Sequence, residues 1–195
     1  MLQRFTTTDL DNYCTRRSGE NRLGSQLRLP QPDHPYAELL ATHKANGGQF
    51  VLVGIAECIG PLANMGHPGA ELGWHAFLQR FLNLQHNDDL DAGRILLLGQ
   101  IACSDLQQRA VALSNQDPEQ LQQLRLLCAE LDQRVYQQIL PIFAAGLYPV
   151  VIGGGHNNAL PLLQALAEVS KQPVNCANLD PHADFRPLEG RHSGN

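Results

Sequence analysis

The sequence predicts a three-layer α/β/α domain with a mostly parallel sheet. Short apolar runs of the kind that form buried parallel strands recur along the chain. Helical patterns lie between these runs, which is typical of right-handed βαβ units. Two of the runs end in chemistry-bearing segments, at the strand ends where ligands collect in open α/β sheets. The predicted strands are residues 50–56, 95–101, 149–153 and 174–179.

Two parts of the chain differ in how regular their patterns are. Residues 1–48 show little periodicity and contain three interrupting prolines, so we predict an N-terminal arm with one short helix near residues 36–44. Residues 49–195 are predicted to form the α/β domain. After a loop rich in glycine and proline, a helix is expected over residues 74–84, and its shared apolar face consists of Trp74, Phe77, Leu78 and Phe81.

The clearest predicted helix follows the second strand and begins at Pro118. Asp117 is a good N-cap, proline is favoured in the first helical position, and Gln120 completes a capping box. Pro141 is expected to kink the last turn and Gly146 to end the helix. The apolar stripe is expected to lie on a sheet, a coiled-coil seam being the alternative; it comprises Leu121, Leu124, Cys128, Leu131, Val135, Ile139 and Ile142. A further helix is predicted from about residue 158 to residue 170.

Composition excludes some classes of function. The formal net charge is -5 and lysine and arginine form no cluster, so neither a nucleic-acid surface nor an anionic-membrane surface is predicted. No apolar stretch has the length of a membrane span, and the N-terminus lacks a signal-peptide core. The scattered cysteines predict buried, reduced thiols in a cytoplasmic protein; they are Cys14, Cys58, Cys103, Cys128 and Cys176.

Asp180, His182 and Asp184 alternate directly after the fourth predicted strand, in the run N-L-D-P-H-A-D-F-R. Alternate side chains of an extended segment point to the same side, so we expect the two carboxylates and the imidazole to converge. Closely packed carboxylates repel each other unless a cation lies between them. Mixed oxygen and nitrogen ligation suits Mn²⁺, Zn²⁺ or Fe²⁺. The alternative is a polar turn in which one aspartate caps a helix.

A second motif, G-G-G-H at residues 153–156, lies where the third predicted strand turns into a helix. The glycines permit a tight turn, and His156 is expected to point into the crevice that holds the aspartates. A phosphate-binding turn is the alternative, although the dinucleotide fingerprint and the P-loop lysine are both missing. Together the motifs predict a metal site formed by His156, Asp180, His182 and Asp184. His67 and His75 are interpreted as surface or packing histidines.

The two motifs resemble those of the ureohydrolases, the family of arginase, agmatinase and formimidoylglutamase. The resemblance covers the chain from about residue 50 onward and is supported by Gly54, the loop 64–73 and the segment R-H-S-G-N at 191–195. Arg186, in the triplet D-F-R, indicates the formimidoylglutamase-like branch. The resemblance implies an arginase-like fold, here with its C-terminal strands missing.

The resemblance also implies a reaction and a set of roles. The family hydrolyses C–N bonds of linear amidines or guanidines with a hydroxide held between two Mn²⁺ ions. By motif position, His156 would bind one ion and His182 the other, with both aspartates reaching the pair. Arg186, Ser193 and Asn195 would contact the substrate carboxylate, with Arg191 as another source of positive charge. The implied partner is a small amidine or guanidine, with no nucleic acid or membrane; a homo-oligomer is left open.

One departure from the family pattern bears on activity. Family members carry a further D-x-D motif on a later strand, whereas here Asp89-Leu90-Asp91 lies in an earlier loop and no D-x-D follows Asp184. We therefore expect a truncated, inactive N-terminal part of a ureohydrolase. Two other interpretations stay open. One is a non-catalytic metal- or partner-binding remnant that associates through its sheet edge, and the other is a mononuclear metal hydrolase.

Overall fold

A four-stranded, mostly parallel sheet organises the chain in the computed structural model, which describes residues 1–15, 18–182, 184, 186–187 and 189–195. Phe185 of the D-F-R triplet is therefore outside the described residues. The strand order is β1-β3-β2-β4, with β1 antiparallel to β3 and the other two pairs parallel. The strands are β1 (Leu2–Arg4), β2 (Phe50–Gly54), β3 (Ile95–Ile101) and β4 (Tyr148–Ile152).

Helices connect the strands and cover the sheet. They are α1 (Thr7–Tyr13), α2 (Tyr36–Ala45), α3 (Ile59–Ala63), α4 (Gly73–Phe81), α5 (Ser104–Val111), α6 (Pro118–Ala144) and α7 (Ala159–Ser170). Short 3-10 turns occupy Leu23–Ser25, Ala70–Leu72, Ala92–Arg94 and His156–Asn158. Over the described residues, none of the helices is both long enough and apolar enough to span a bilayer.

Two hydrophobic cores, one on each face of the sheet, give the predicted three layers. Alternate residues of a strand point to opposite faces. Val51 and Val53 accordingly join the core beneath α2, α3, α5, α6 and α7, whereas Leu52 joins the core beneath α4. Trp74 and Leu78 of α4 are buried in the second core. The three-layer, mostly parallel fold is therefore confirmed.

The long helix α6 begins and ends close to its predicted positions. The side chain of Asp117 accepts hydrogen bonds from the amides of Glu119, at 3.0 Å, and Gln120, at 2.9 Å. Gln120 itself accepts from the amide of Ser114 instead of completing a capping box with Asp117. The helix continues past Pro141 to Ala144, and Gly146 follows with a φ of +68°. The predicted stripe faces the core from Leu124 to Ile142 and is buried there.

The N-terminal segment contains more structure than the single predicted helix. Strand β1 adds to the outer edge of β3, and Phe5 is buried in the second core. Strand β1 has only three residues, Leu-Gln-Arg, and therefore carries no readable alternation. Helix α1 is capped by a reciprocal pair of bonds between Thr6 and Asp9. The predicted helix at 36–44 is present as α2, and the division of the chain near residue 48 stays a prediction.

The prediction of a fourth parallel strand at 174–179 is wrong. These residues form no strand, and only Val174 is even half-buried, while the side chain of Leu179 is fully exposed. A strand needs a neighbour that satisfies its backbone amides and carbonyls. Within the described residues, β4 pairs only with β2, and the segment 174–179 pairs with nothing.

Candidate metal centre

A tight glycine turn at the carboxyl end of β4 carries His156. Gly153 and Gly154 have φ values of +89° and +76°, a conformation that favours glycine. A Cβ on Gly154 would lie 2.6 Å from Asn158 Nδ2 and 2.7 Å from Glu57 Oε1, closer than such atoms approach. The turn therefore requires glycine both for its backbone and for the space around it, and it delivers His156 to the end of the sheet as predicted.

Three side chains converge beside this turn. Nδ1 of His156 lies 2.5 Å from Oδ2 of Asp184 and 3.6 Å from Oδ2 of Asp180. One potential ligand atom from each of the three residues lies within 4.8 Å of the other two. All three side chains are partly accessible, with exposed fractions of 37%, 29% and 23% for His156, Asp180 and Asp184. The two sequence motifs therefore meet in space.

The aspartates reach this position through a turn and not through an extended strand. Oδ1 of Asp180 accepts a 2.7 Å hydrogen bond from the backbone amide of His182. This bond is the main reason that the pKa of Asp180 is lowered. Asp184 has a φ of +52°, in the left-handed region that aspartate tolerates better than most residues. The expectation of convergence by strand alternation is wrong in its geometry, although two of the three side chains still meet His156.

His182 lies outside the group of three. Its side chain is 81% exposed, and its Nδ1 lies 3.1 Å from Oδ1 of Asp180. Among the described residues, the group whose ligand atoms all lie within 4.8 Å of one another consists of His156, Asp180 and Asp184, and His182 contacts this group through Asp180. The predicted role of each residue as a metal ligand stays a prediction.

The donor set fits a divalent cation of intermediate hardness. One imidazole nitrogen and carboxylate oxygens suit Mn²⁺, Zn²⁺ or Fe²⁺. Oδ2 of Asp184 is shielded from solvent, and Nδ1 of His156 lies 2.5 Å from it. A carboxylate oxygen that is shielded from water needs a hydrogen-bond donor or a positive charge to compensate it. A cation held by His156, Asp180 and Asp184 would supply that charge.

The segment 189–195, which contains the predicted substrate residues, packs against α6 and α3. Arg191 donates from Nε to Asp132 Oδ2 at 2.5 Å and from Nη2 to the carbonyl of Asn157 at 2.6 Å. The amide of Ser193 donates to the carbonyl of Gly60 at 3.1 Å. Because Arg191 is committed to these contacts, its positive charge stabilises the segment. The guanidinium group of Arg191 is therefore already occupied by contacts within the protein, whereas the predicted contribution to substrate binding would need it to face a ligand.

Asn195 and Arg186 hold different positions around the same segment. Asn195 closes the loop on itself, with Nδ2 donating to the carbonyl of Gly190 at 2.9 Å and Oδ1 accepting from the amide of His192 at 3.1 Å. Arg186 is exposed and donates to Oδ1 of Asn64 at 2.5 Å. Among the predicted substrate residues, Arg186 is therefore the one with an exposed positive charge. The assignment of Arg186, Ser193 and Asn195 to substrate stays a prediction.

Sequence patterns alone did not single out two buried acids near the turn. Glu57 and Asp132 are 0% and 5% exposed. Glu57 contacts Gly155, the residue before His156, and Asp132 contacts Asn157, the residue after it. Burial raises the pKa of Asp132 to about 6 against the lowering effect of Arg191. Each acid interrupts an apolar pattern, Glu57 after the run of β2 and Asp132 within the stripe of α6. That interruption is the available sequence signal.

The imidazole of His192 is also buried in this region. Burial, followed by the nearby charge of Arg186, lowers its pKa. Its Nδ1 accepts a 3.0 Å hydrogen bond from the amide of Gly194, which requires a nitrogen without a proton. The imidazole of His192 is therefore neutral in the folded segment.

The family is decided by a match over most of the chain. A model of the arginase family matches residues 49–195. The chain belongs to the arginase family. The match begins just before β2 and includes the glycine turn, the convergent aspartates and the segment that packs on α6. Among curated proteins, none matches the chain.

Solved structures of arginase-family proteins share the fold. A formiminoglutamase from Trypanosoma cruzi with Mn²⁺ is 24% identical, with a TM-score of 0.59, covering 90% of this chain and 50% of its own. An arginase superfamily protein from the same organism has 24% identity and a TM-score of 0.59, with coverages of 91% and 51%. A hypothetical agmatinase from Burkholderia thailandensis is 18% identical, with a TM-score of 0.52 and coverages of 76% and 43%. The chain thus spans about half the length of these structures.

Proposed function

We propose that this arginase-family chain carries part of the metal centre of an enzyme that hydrolyses C–N bonds in linear amidines or guanidines. The observation that supports this function best is the convergence of His156, Asp180 and Asp184 at the carboxyl end of β4. Ligands of open α/β sheets collect at that end. Membership of the arginase family supports the reaction class.

In this proposal the cation is Mn²⁺, which the formiminoglutamase from Trypanosoma cruzi contains. His156, Asp180 and Asp184 would hold one ion, and His182 is proposed as a ligand of a second. When bound, such ions lower the pKa of water and polarise the carbon under attack. The amide of His182 keeps the Asp180 carboxylate ionised and oriented, because it donates a hydrogen bond to it.

The proposed substrate is a small amidine or guanidine with a carboxylate, and formimidoylglutamate is the preferred member. The Trypanosoma cruzi formiminoglutamase and the D-F-R triplet support that branch. Arg186 would bind the substrate carboxylate by exchanging its bond to Asn64, assisted by Ser193 and Asn195. A cytoplasmic location is part of the proposal and is supported by the buried thiols of Cys58, Cys103 and Cys128.

Titration with Mn²⁺ tests the metal centre directly. We expect calorimetry and elemental analysis to show about one weakly bound Mn²⁺ per chain, because three donors converge among the described residues. The His156→Ala variant should lose that binding. The matched control is His67→Ala, which removes an exposed histidine from outside the group of three. Equal Mn²⁺ affinity in both variants would disprove the site.

A second candidate function, association with a partner chain without catalysis, is favoured by one feature of the sheet. Tyr148 and Val150 on β4 are 63% and 40% exposed, and Phe50 beside them is 38% exposed. Apolar side chains along a strand at the edge of a sheet favour pairing with another strand. If this is the function, sedimentation should show an assembly that Val150→Lys weakens and that Val169→Lys on α7 leaves intact. A monomer at all concentrations tested would exclude self-association through this edge.

A further inference from the structure

Glu57 connects three segments beneath the candidate metal centre. It follows β2 by three residues and is completely buried. Its Oε1 accepts hydrogen bonds from the amide of Gly155 at 2.5 Å and from Asn158 Nδ2 at 2.7 Å. Its Oε2 accepts from the amides of Ile59 at 2.6 Å and Gly60 at 3.2 Å. One carboxylate therefore joins the end of β2, the start of α3 and the glycine turn.

The position of this carboxylate determines where His156 can lie. Gly155, whose amide donates to Glu57, directly precedes His156 in the chain. Glu57 also leaves no room for a side chain on Gly154, since a Cβ there would lie 2.7 Å from Glu57 Oε1. His156 in turn places Nδ1 2.5 Å from Asp184. A displacement of the turn would therefore move the imidazole away from the aspartates.

We propose that Glu57 is a positioning residue that holds the glycine turn so that His156 can bind metal together with Asp180 and Asp184. The metal-binding part of this inference rests on the proposed function, whereas the effect on the turn does not. Residues that orient metal ligands without touching the metal commonly change metal affinity by roughly 10- to 100-fold when they are replaced. Glu57 acts on the backbone beside His156, one step further from the metal than a bond to the imidazole itself.

The replacement Glu57→Gln isolates the acceptor capacity of the side chain at nearly constant size. A glutamine offers one oxygen and one NH₂ group, whereas all four groups around Glu57 are N–H donors. The NH₂ group must then face donors from either the turn or α3. We expect the turn to loosen, since the amide of Gly155 and that of Ile59 can no longer both be satisfied.

Two readouts on Glu57→Gln test the inference. Exchange of the buried Gly155 amide with solvent, followed by NMR, should become about tenfold faster or more. Mn²⁺ affinity should fall by roughly 10- to 100-fold. The control is Asp117→Ala, which removes another carboxylate that accepts two backbone amides, at the start of α6. It should lower the melting temperature while leaving Gly155 exchange and Mn²⁺ affinity unchanged.

The outcomes separate this inference from the proposed function. Unchanged Gly155 exchange in Glu57→Gln would overturn the positioning role, whatever the metal data show. Faster exchange with unchanged Mn²⁺ affinity would also overturn it, because the turn would then not govern metal binding. Absence of Mn²⁺ binding by the unsubstituted chain would refute the proposed function and the metal-binding part of the inference. The effect of Glu57 on the turn would then be tested by the exchange of the Gly155 amide alone. If Glu57→Gln does not fold, Asn158→Ala removes one donor to Glu57 and should give smaller changes in the same direction.

Discussion

Gly154 is the residue at which backbone conformation and side-chain crowding coincide near the candidate metal centre. Its φ is +76°, and a Cβ there would meet Asn158 and Glu57 within 2.7 Å. Gly47 has a similar φ of +82°, but a Cβ added there would have no neighbouring atom within 4 Å. The pair therefore separates the effect of backbone strain from that of collision.

We expect Gly154→Ala to lower the free energy of unfolding by about 2–4 kcal/mol, since left-handed strain and overpacking add. Gly47→Ala should lower it by only about 1 kcal/mol, from strain alone. Urea denaturation followed by circular dichroism measures both values. Equal losses in the two variants would show that the contacts of Gly154 with Glu57 and Asn158 do not restrict the turn.

Asp132 is expected to make stability depend on pH in the mildly acidic range. Burial raises its native pKa to about 6, above the value of about 3.9 for an unfolded aspartate. The native state therefore binds the proton more tightly. The stabilisation from this group is complete below about pH 4 and is lost as the pH rises through 6.

The Asp132→Asn variant should lack this decline. Between pH 4 and pH 7, the original chain should therefore lose up to about 3 kcal/mol of unfolding free energy relative to the variant. The control is Asp105→Asn. The hydrogen bonds from Arg134 lower the pKa of Asp105 to about 2, so its contribution is lost only as the pH falls toward that value. Denaturation curves at several pH values measure both. A flat difference for Asp132→Asn would contradict the raised pKa.

Among the elements, α6 connects the sheet to the candidate metal centre. Its buried stripe belongs to the core that contains residues of β2 and β3, and its Asp132 contacts the segment that contains Arg191. Leu131 is 0% exposed in the middle of this stripe, whereas Leu126 on the same helix is 63% exposed. The two leucines differ in environment but not in helical context.

Leu131→Asp should lower the free energy of unfolding by about 3–5 kcal/mol, because it buries a charge without a partner. Leu126→Asp should change it by no more than about 0.5 kcal/mol. Thermal and urea denaturation provide the comparison. Unchanged melting of Leu131→Asp would mean that the stripe does not pack on the sheet.

At the scale of the whole molecule, three convergent donors are few for a dinuclear centre. Mn²⁺ in a hard-ligand site takes roughly five or six donors, and the described residues bring together His156, Asp180 and Asp184. We therefore expect negligible release of urea or formamide from arginine, agmatine or formimidoylglutamate by the 195-residue chain in Mn²⁺ buffer. Robust turnover that is lost in His156→Ala would show that these donors suffice for catalysis.

Much of this fold was predictable because its strands and helices have local signatures. The apolar runs at 50–56, 95–101 and 149–153 correspond to β2, β3 and β4, and the capped stripe beginning at Pro118 corresponds to α6. Strand β1 was not predictable, because its pairing depends on backbone groups of β3 and its three residues show no pattern. The run 174–179 has the composition of a strand but no neighbour to pair with among the described residues.

The sequence by itself determined the three-layer α/β class, the family motifs and the residue types of the candidate metal centre. These depend on local periodicity, on glycines that permit φ values above zero, and on side chains with fixed chemistry. Tertiary structure alone decided that Asp184 meets His156 while His182 remains exposed, and that Arg191 pairs with Asp132. It also decided that Glu57 supports the glycine turn from a distance of 98 positions in the chain. Contacts between segments far apart in sequence depend on how the layers pack, and no local pattern encodes that packing.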